Sequence, residues 1–266
     1  MSQKTLLLVG TSREEISLPA FQAACEALQI RLEFSLYAKG EAPKLYGDII
    51  YFRDPFNMGA NATASKFISS LVADNPNAVY VDNLKAYGDL FFEDKLVQYN
   101  YFSDVMPVTS LLTPKSYDAG NYDSDKYIIK ERLNAGGKGV FFNKGFDFQE
   151  DIFLLQEKIN IEYDYRIICL NKKIMPYALK RTAKRDNDSV SKTVGVHELT
   201  ELDMNFANKI LELAPSFDLI GLDVAVADGR HCLIEANRSP QIKIFQARTG
   251  IDVIGELLAS KLDLLR

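Results

Sequence analysis

Hydrophobic periodicity changes character partway along this chain, and that change restricts the fold more than any other feature. Up to about residue 90, strand-like and helix-like runs alternate: Thr5 to Val9, the helical Ser17 to Leu28, Arg31 to Tyr37, Asp48 to Phe52, the helical Ser65 to Ala73, and Ala78 to Val81. Such alternation predicts a parallel sheet covered by helices. After a helical stretch from Glu93 to Asp104, strands at Tyr127–Lys130, Val140–Phe142, Phe153–Gln156, Tyr165–Leu170 and Lys173–Leu179 follow one another without helices between them. Consecutive strands predict antiparallel sheets. The chain therefore reads as α/β passing into α+β. A small open parallel domain spans residues 1–90. A second domain spans 91–266, with a central subdomain about 115–160 and a C-terminal subdomain about 161–266. Arg181 to Lys192 reads as a polar, mobile stretch, and helices are expected at Leu202–Leu213 and Asp252–Leu265.

Charge narrows the function classes. With 31 basic and 36 acidic residues and a net charge of −5, the chain is a poor partner for nucleic acid. No apolar run approaches the roughly 20 residues that span a membrane. The first apolar run is too short for a signal-peptide core and has no small-residue cleavage site, so a cytoplasmic protein is expected. Cys25, Cys169 and Cys232 are widely spaced and give neither a zinc motif nor a disulfide framework. His197 and His231 sit in no nucleophile motif and are read as structural. Chemistry must run on lysines, arginines, carboxylates and a metal.

Two apolar runs near the end, Leu219 to Val226 and Leu233 to Asn237, flank the turn Asp228-Gly229 and predict a hairpin. Asp223 lies on its first strand; Glu235 and Asn237, two apart, share a face of its second. Two acids and an amide suit a hard cation such as magnesium, although a half-buried hairpin with a wet polar side explains the same residues. Upstream, Lys130 ends a strand and precedes Gly136-Gly137-Lys138-Gly139. A lysine at a strand end and backbone N–H groups in a glycine-rich loop suit phosphate; a flexible hairpin tip is the alternative. The spacing is neither Walker nor Rossmann. Gln156-Glu157-Lys158-Ile159 then ends another strand. Asp164 and Arg166, two apart, share a face where they can pair with each other, and Arg181 follows the strand ending at Leu179.

Taken in order, Asp94-Lys95, Lys130, the glycine loop, Gln156 to Ile159, Asp164-Tyr165-Arg166, Arg181, Gly221-Leu222-Asp223 and Glu235-Ala236-Asn237-Arg238-Ser239-Pro240 resemble the ATP-grasp superfamily. Within it the chain looks most like the branch of ribosomal-protein glutamate ligases and peptide-macrocyclising ligases. The resemblance covers residues 91–266. It implies two antiparallel subdomains gripping ATP and a ligase that activates a carboxylate as an acyl phosphate for an amine or thiol. Lys95 and Lys130 would contact phosphates, with Gly136 to Gly139 as their cover. Gln156 to Ile159 would read adenine, and Asp164 would hold the ribose. Asp223, Glu235 and Asn237 would hold two magnesium ions, with manganese able to replace them. Arg166 and Arg181 would stabilise the acyl phosphate. The rival readings are a nucleotide-binding protein without ligase activity and a small-molecule kinase on the same fold.

Two departures bear on the acceptor. Glu157 to Asp164 is tight, nearer the macrocyclising branch, and residues 184–189 lack the Asn-plus-Gly-Gly pattern of the glutamate ligases. The substrate is expected to be an amino acid, peptide or protein carboxylate. Arg53, Tyr87, Arg238 and Lys243 are candidates to greet an anionic substrate in the cleft; self-association is left open.

Overall fold

The computed structural model describes residues 3–10, 17–36, 44–53, 62–82, 91–113, 123–133, 139–141, 152–182 and 192–265. Strands β1 (Thr5–Gly10), β2 (Arg31–Leu36), β3 (Ile49–Arg53) and β4 (Val79–Tyr80) form a parallel sheet in the order β2-β1-β3-β4. All of β1 and β3 is buried, as central parallel strands covered on both faces must be. Leu7, Val9, Ile50 and Phe52 pack on Phe67, Ile68 and Leu71 of α2 (Ala62–Asp74). Leu6, Leu8 and Tyr51 pack on Phe21 of α1 (Leu18–Ala27) and also on residues from far along the chain, Ile168, Leu219, Phe245 and Leu257. One hydrophobic core thus crosses residue 90.

After α3 (Lys95–Phe102), a four-stranded antiparallel sheet comprises β5 (Thr109–Leu111), β6 (Tyr127–Glu131), β7 (Val140–Phe141) and β8 (Phe153–Glu157), in the order β5-β8-β6-β7. A five-stranded antiparallel sheet comprises β9 (Ile161–Leu170), β10 (Lys173–Thr182), β11 (Lys192–Glu198), β12 (Leu219–Ala227) and β13 (Arg230–Asn237), in the order β11-β10-β9-β12-β13. The β12–β13 turn is the expected Asp228-Gly229, both at positive φ (50° and 70°), the conformation a tight hairpin turn needs. Side chains alternate across this sheet. Tyr165, Ile167, Cys169, Leu222 and Val224 pack on α3 and on α4 (Glu201–Leu213), while Asp164, Arg166 and Asp223 take the opposite face. Helices α5 (Lys243–Thr249) and α6 (Val253–Asp263) close the chain, and α6 packs on α1. Among the described residues no helix is long and apolar enough to cross a membrane.

Three elements lie outside the sequence expectation: β5, β11 and α5. Strand β11 begins at Lys192, where the sequence read as polar and mobile; its half-exposed edge position gives it no apolar run. The two histidines share one partner. His197 and His231 lie 3.0 and 2.8 Å from the Asp203 carboxylate, which also closes the capping box of α4 with Thr200 and accepts from the Tyr165 hydroxyl. These partners outweigh burial and hold the Asp203 carboxyl well below the usual range.

Buried charge ties the parallel sheet to the five-stranded one. The Asp218 N–H donates to Asp82 at 2.9 Å, the Asp82 N–H donates back to the Asp218 carboxylate, and Lys261 reaches Asp218 at 2.6 Å. Burial pushes the Asp82 carboxyl up to about 7 against the pull of Arg238, whose Nη1 is 3.8 Å away. A raised carboxyl pKa means the folded state binds more protons than the unfolded one. The stability contributed by this group is therefore lost as pH rises from about 4 to about 7. Asp82→Asn keeps the acceptor oxygen and suits the positive φ of 60° at this position. Relative to the wild type, its melting temperature is expected to climb by a few degrees between pH 5 and pH 8. A gap that stays constant with pH would rule out this origin.

Candidate active site

The register of the five-stranded sheet lines up four strands of charge. Arg181 on β10 lies opposite Asp164 on β9, and Arg166 on β9 lies opposite Asp223 on β12, which faces Glu235 on β13. A bulge between Lys180 and Arg181 in the β10–β11 pairing adjusts the strand at this point. Arg166 grips Asp223 with two parallel bonds of 2.6 and 2.7 Å, while Arg181 bridges Asp164 and Asp223, reaching the latter at 3.0 Å. The pairing of Asp164 with Arg166 that their spacing allowed does not form; each is bonded across to a neighbouring strand instead. Burial opposes the charge on Asp223, but Arg166 and Arg181 overcome it and hold its carboxyl at about 2. Asp164 goes the other way: burial raises it, and Arg181 only partly compensates.

The lysines arrive from other elements. Asp94 caps α3 by accepting from the Leu96 N–H at 2.9 Å, which sets Lys95 on the first turn, with its Nζ 3.9 Å from the Glu235 carboxylate. Lys130 comes from β6 and is 8% exposed. Burial, reinforced by Lys95 and partly offset by Glu235, lowers its ammonium to about 8. Lys95, Lys130, Arg166 and Arg181 thus meet Asp164, Asp223 and Glu235 in one cluster. Four cations against three carboxylates favour an anionic ligand.

Of the glycine loop, Gly136, Gly137 and Lys138 lie outside the described residues, as does Tyr87. Gly139 has φ 77° and its carbonyl accepts from Glu131 N–H at 2.8 Å, closing the loop at its base. At the expected hinge, Gln156 is buried and donates to the Thr109 hydroxyl at 2.8 Å, pinning β8 to β5. Glu157 and Lys158 are exposed, Ile159 half-buried. Asp164, which the resemblance assigns to the ribose, stands inside the charged row and accepts from Arg181. Arg53 and Arg238 were expected in an open cleft, but the structure places them in the buried seam, each 1% exposed. Arg53 donates to the carbonyls of Ser239 and Pro240, and Arg238 to that of Phe52, because the end of β3 abuts the segment after β13. Lys243 is exposed at the start of α5.

Some participants escaped the sequence reading. Arg132 forks onto Asp94 at 2.6 and 3.2 Å, tying the root of the glycine loop to the cap of α3. Cys232 is half-buried within electrostatic reach of Glu157 and Lys130. Gly221 has to be glycine: a Cβ there would lie 2.7 Å from Pro240 Cβ and 3.7 Å from the Arg166 stem.

No protein-family profile and no curated protein matches the sequence. Solved structures do match. The D-cycloserine synthetase DcsG superposes with a TM-score of 0.71 at 13% identity, over 97% of this chain and 99% of its own. PsnB, an ATP-grasp ligase solved with a minimal precursor, gives 0.68 at 13% identity over 98% and 99%. The D-alanine–D-alanine ligase of Bacillus anthracis, complexed with ATP, gives 0.68 at 14% over 98% and 97%. This is the ATP-grasp fold.

The sequence resemblance implies magnesium, and the donors here fit a hard cation. Among the described residues no three His, Cys, Asp or Glu cluster together; the set is two carboxylates and an amide. Asn237 opposes Gly221, next but one to Asp223, and its buried Nδ2 has no hydrogen-bond partner. Amide oxygen and nitrogen are interchangeable by a flip, so this amide can turn an acceptor to a cation. Asp223 is ionised but already held by two guanidiniums, so a cation at this carboxylate must share it with Arg166 and Arg181.

Proposed function

We propose that this chain is an ATP-dependent ligase that activates an amino-acid, peptide or protein carboxylate as an acyl phosphate and joins it to an amine or thiol. The observation that carries the reading is the row Arg181–Asp164, Arg166–Asp223–Glu235 across four strands, facing Lys95 and Lys130. Solved proteins of this fold, among them PsnB with a precursor peptide and a D-alanine–D-alanine ligase, support it.

In the first step a substrate carboxylate oxygen attacks the γ-phosphorus and the bond to the β–γ bridging oxygen breaks, releasing ADP. Lys95 and Lys130 hold phosphate oxygens, and Arg166 and Arg181 offset the repulsion between the two anions. Asp223, Glu235 and Asn237 would hold magnesium, which would supply further charge neutralisation. In the second step the nucleophile attacks the acyl carbon and gives up a proton. Phosphate then leaves, carrying the oxygen that came from the carboxylate. The Gly136–Gly139 loop is assigned as the cover that keeps water from the acyl phosphate.

The test uses carboxylate-labelled substrates. With Mg-ATP, an amine and amino-acid or peptide carboxylates bearing ¹⁸O, the label is expected in the released phosphate, together with ADP and a condensed product. ADP with a phosphorylated product and no free phosphate would make the protein a kinase. Nucleotide binding with no ADP from any carboxylate would leave a binding protein and end the ligase reading.

A further inference from the structure

Strand β13 is the edge of its sheet, yet its outer side is not left open. In an antiparallel pair successive residues turn their backbone groups to opposite sides. Glu235 and Asn237 face their β12 partners Asp223 and Gly221. Ala236 and Arg238 between and beyond them therefore present N–H and C=O outward, where a further strand would lie. The start of α3 takes that place with side chains. Gln98, fully buried, donates through Nε2 to the Ala236 carbonyl at 2.7 Å and accepts from the Ala236 N–H at 2.9 Å. Its amide thus imitates the backbone of a neighbouring strand. Glu93, 4% exposed, accepts from the Arg238 N–H at 2.6 Å. Farther back, the Leu233 N–H donates to the Val105 carbonyl at 2.7 Å, just beyond α3.

We infer that Gln98 and Glu93 are positioning residues that hold the metal-ligand strand from its outer edge and lock it to the helix carrying Lys95. The inference rests on the ATP-grasp ligase reading and goes beyond it. Gln98 lies one helical turn after Lys95, whose ammonium is 3.9 Å from Glu235. Fixing Ala236 to this helix fixes Glu235 and Asn237 on either side of it. The phosphate-binding lysine and the metal-binding oxygens then share one rigid frame. Geometry held to a fraction of an ångström is what such a binding constellation requires. Both residues bond to the backbone of the strand, so both act through it.

The experiment compares ADP affinity with excess magnesium and with EDTA, by calorimetry on the full chain. The dissociation constant in EDTA divided by that in magnesium isolates the metal-dependent part of binding. Gln98→Met keeps the bulk and removes both bonds to Ala236. Its ratio is expected to fall about 10- to 100-fold, the usual cost of losing support behind a metal ligand, with affinity in EDTA unchanged. Glu93→Ala is expected to lower the ratio in the same direction, while Glu93→Gln keeps an acceptor for Arg238 N–H and restores it. Should Gln98→Met fail to fold, the Glu93 pair decides. Unchanged ratios, or equal losses with and without magnesium, would overturn the inference and leave the ligase reading standing. A wild-type protein that binds no ADP in either condition would overturn both.

Discussion

Asp223→Ala is expected to remove ATP turnover and to cost about 3–5 kcal/mol of stability, whereas Glu235→Gln removes turnover at a stability cost of about 1 kcal/mol or less. The two carboxylates face each other across the hairpin but stand in different electrostatic settings. Asp223 is the common counter-ion of Arg166 and Arg181, whose side chains are themselves only 17% and 13% exposed. Without Asp223, Arg166 loses both its bonds to a carboxylate and Arg181 keeps only Asp164. An uncompensated guanidinium in such a site is the costly event, more than the loss of the pair itself. Glu235 is more open and pairs with Lys95 at 3.9 Å. Urea unfolding of the two variants, read beside ADP release, separates the roles. Acid sharpens the test. The folded pKa of Asp223 is depressed to about 2, so its stabilisation is present above the ordinary carboxyl range and lost as pH falls from about 4 towards 2. That loss should be absent from Asp223→Asn. Equal destabilisation by the Asp223 and Glu235 variants would show that the arginines do not depend on Asp223.

Much of this arrangement is legible in the sequence because it is local. Apolar runs and the Asp228-Gly229 turn define β12 and β13, and a spacing of two puts Glu235 and Asn237 on one face whatever the rest of the chain does. Which arginine meets which acid is not local. Asp164 and Arg166 look like a pair in the sequence, yet the registers of β9 with β10 and with β12 send Asp164 to Arg181 and Arg166 to Asp223. Arg53 and Arg238 are 185 positions apart, and only the packing of the parallel sheet on the segment after β13 reveals both as buried struts. Gln98 gave no signal: a polar residue inside a helix reads as solvated until an edge strand is found against it. Strand β11 escaped for the opposite reason, since an exposed edge carries too few apolar residues to show a period.

Lys130→Met should move stability and affinity in opposite directions. The Lys130 ammonium is buried beside Lys95, and its pKa is lowered from 10.5 to about 8. A depressed lysine pKa means the folded state binds fewer protons than the unfolded one between those values. The protein should therefore gain stability as pH rises from 8 to about 10.5, and the penalty is fully present below 8. Replacing the ammonium by a thioether of similar length removes that penalty, so Lys130→Met should melt higher than the wild type at pH 7. Its nucleotide affinity should fall about 10- to 100-fold, the value of a charge-assisted contact to phosphate. In the wild type a triphosphate bound at Lys130 would draw the lysine back to its charged form. Nucleotide binding above pH 8 should then take up a proton, and affinity should weaken as pH climbs through that value. Lys130→Arg keeps its charge throughout and should abolish this pH dependence even where its geometry binds less well. Melting curves and calorimetry at pH 7 and pH 9 in two buffers of different ionisation enthalpy read all three quantities. If Lys130→Met lost stability, the lysine would be a structural counter-ion of Glu235; if its nucleotide affinity were unchanged, the phosphate role assigned to it would have to pass to Lys95 alone.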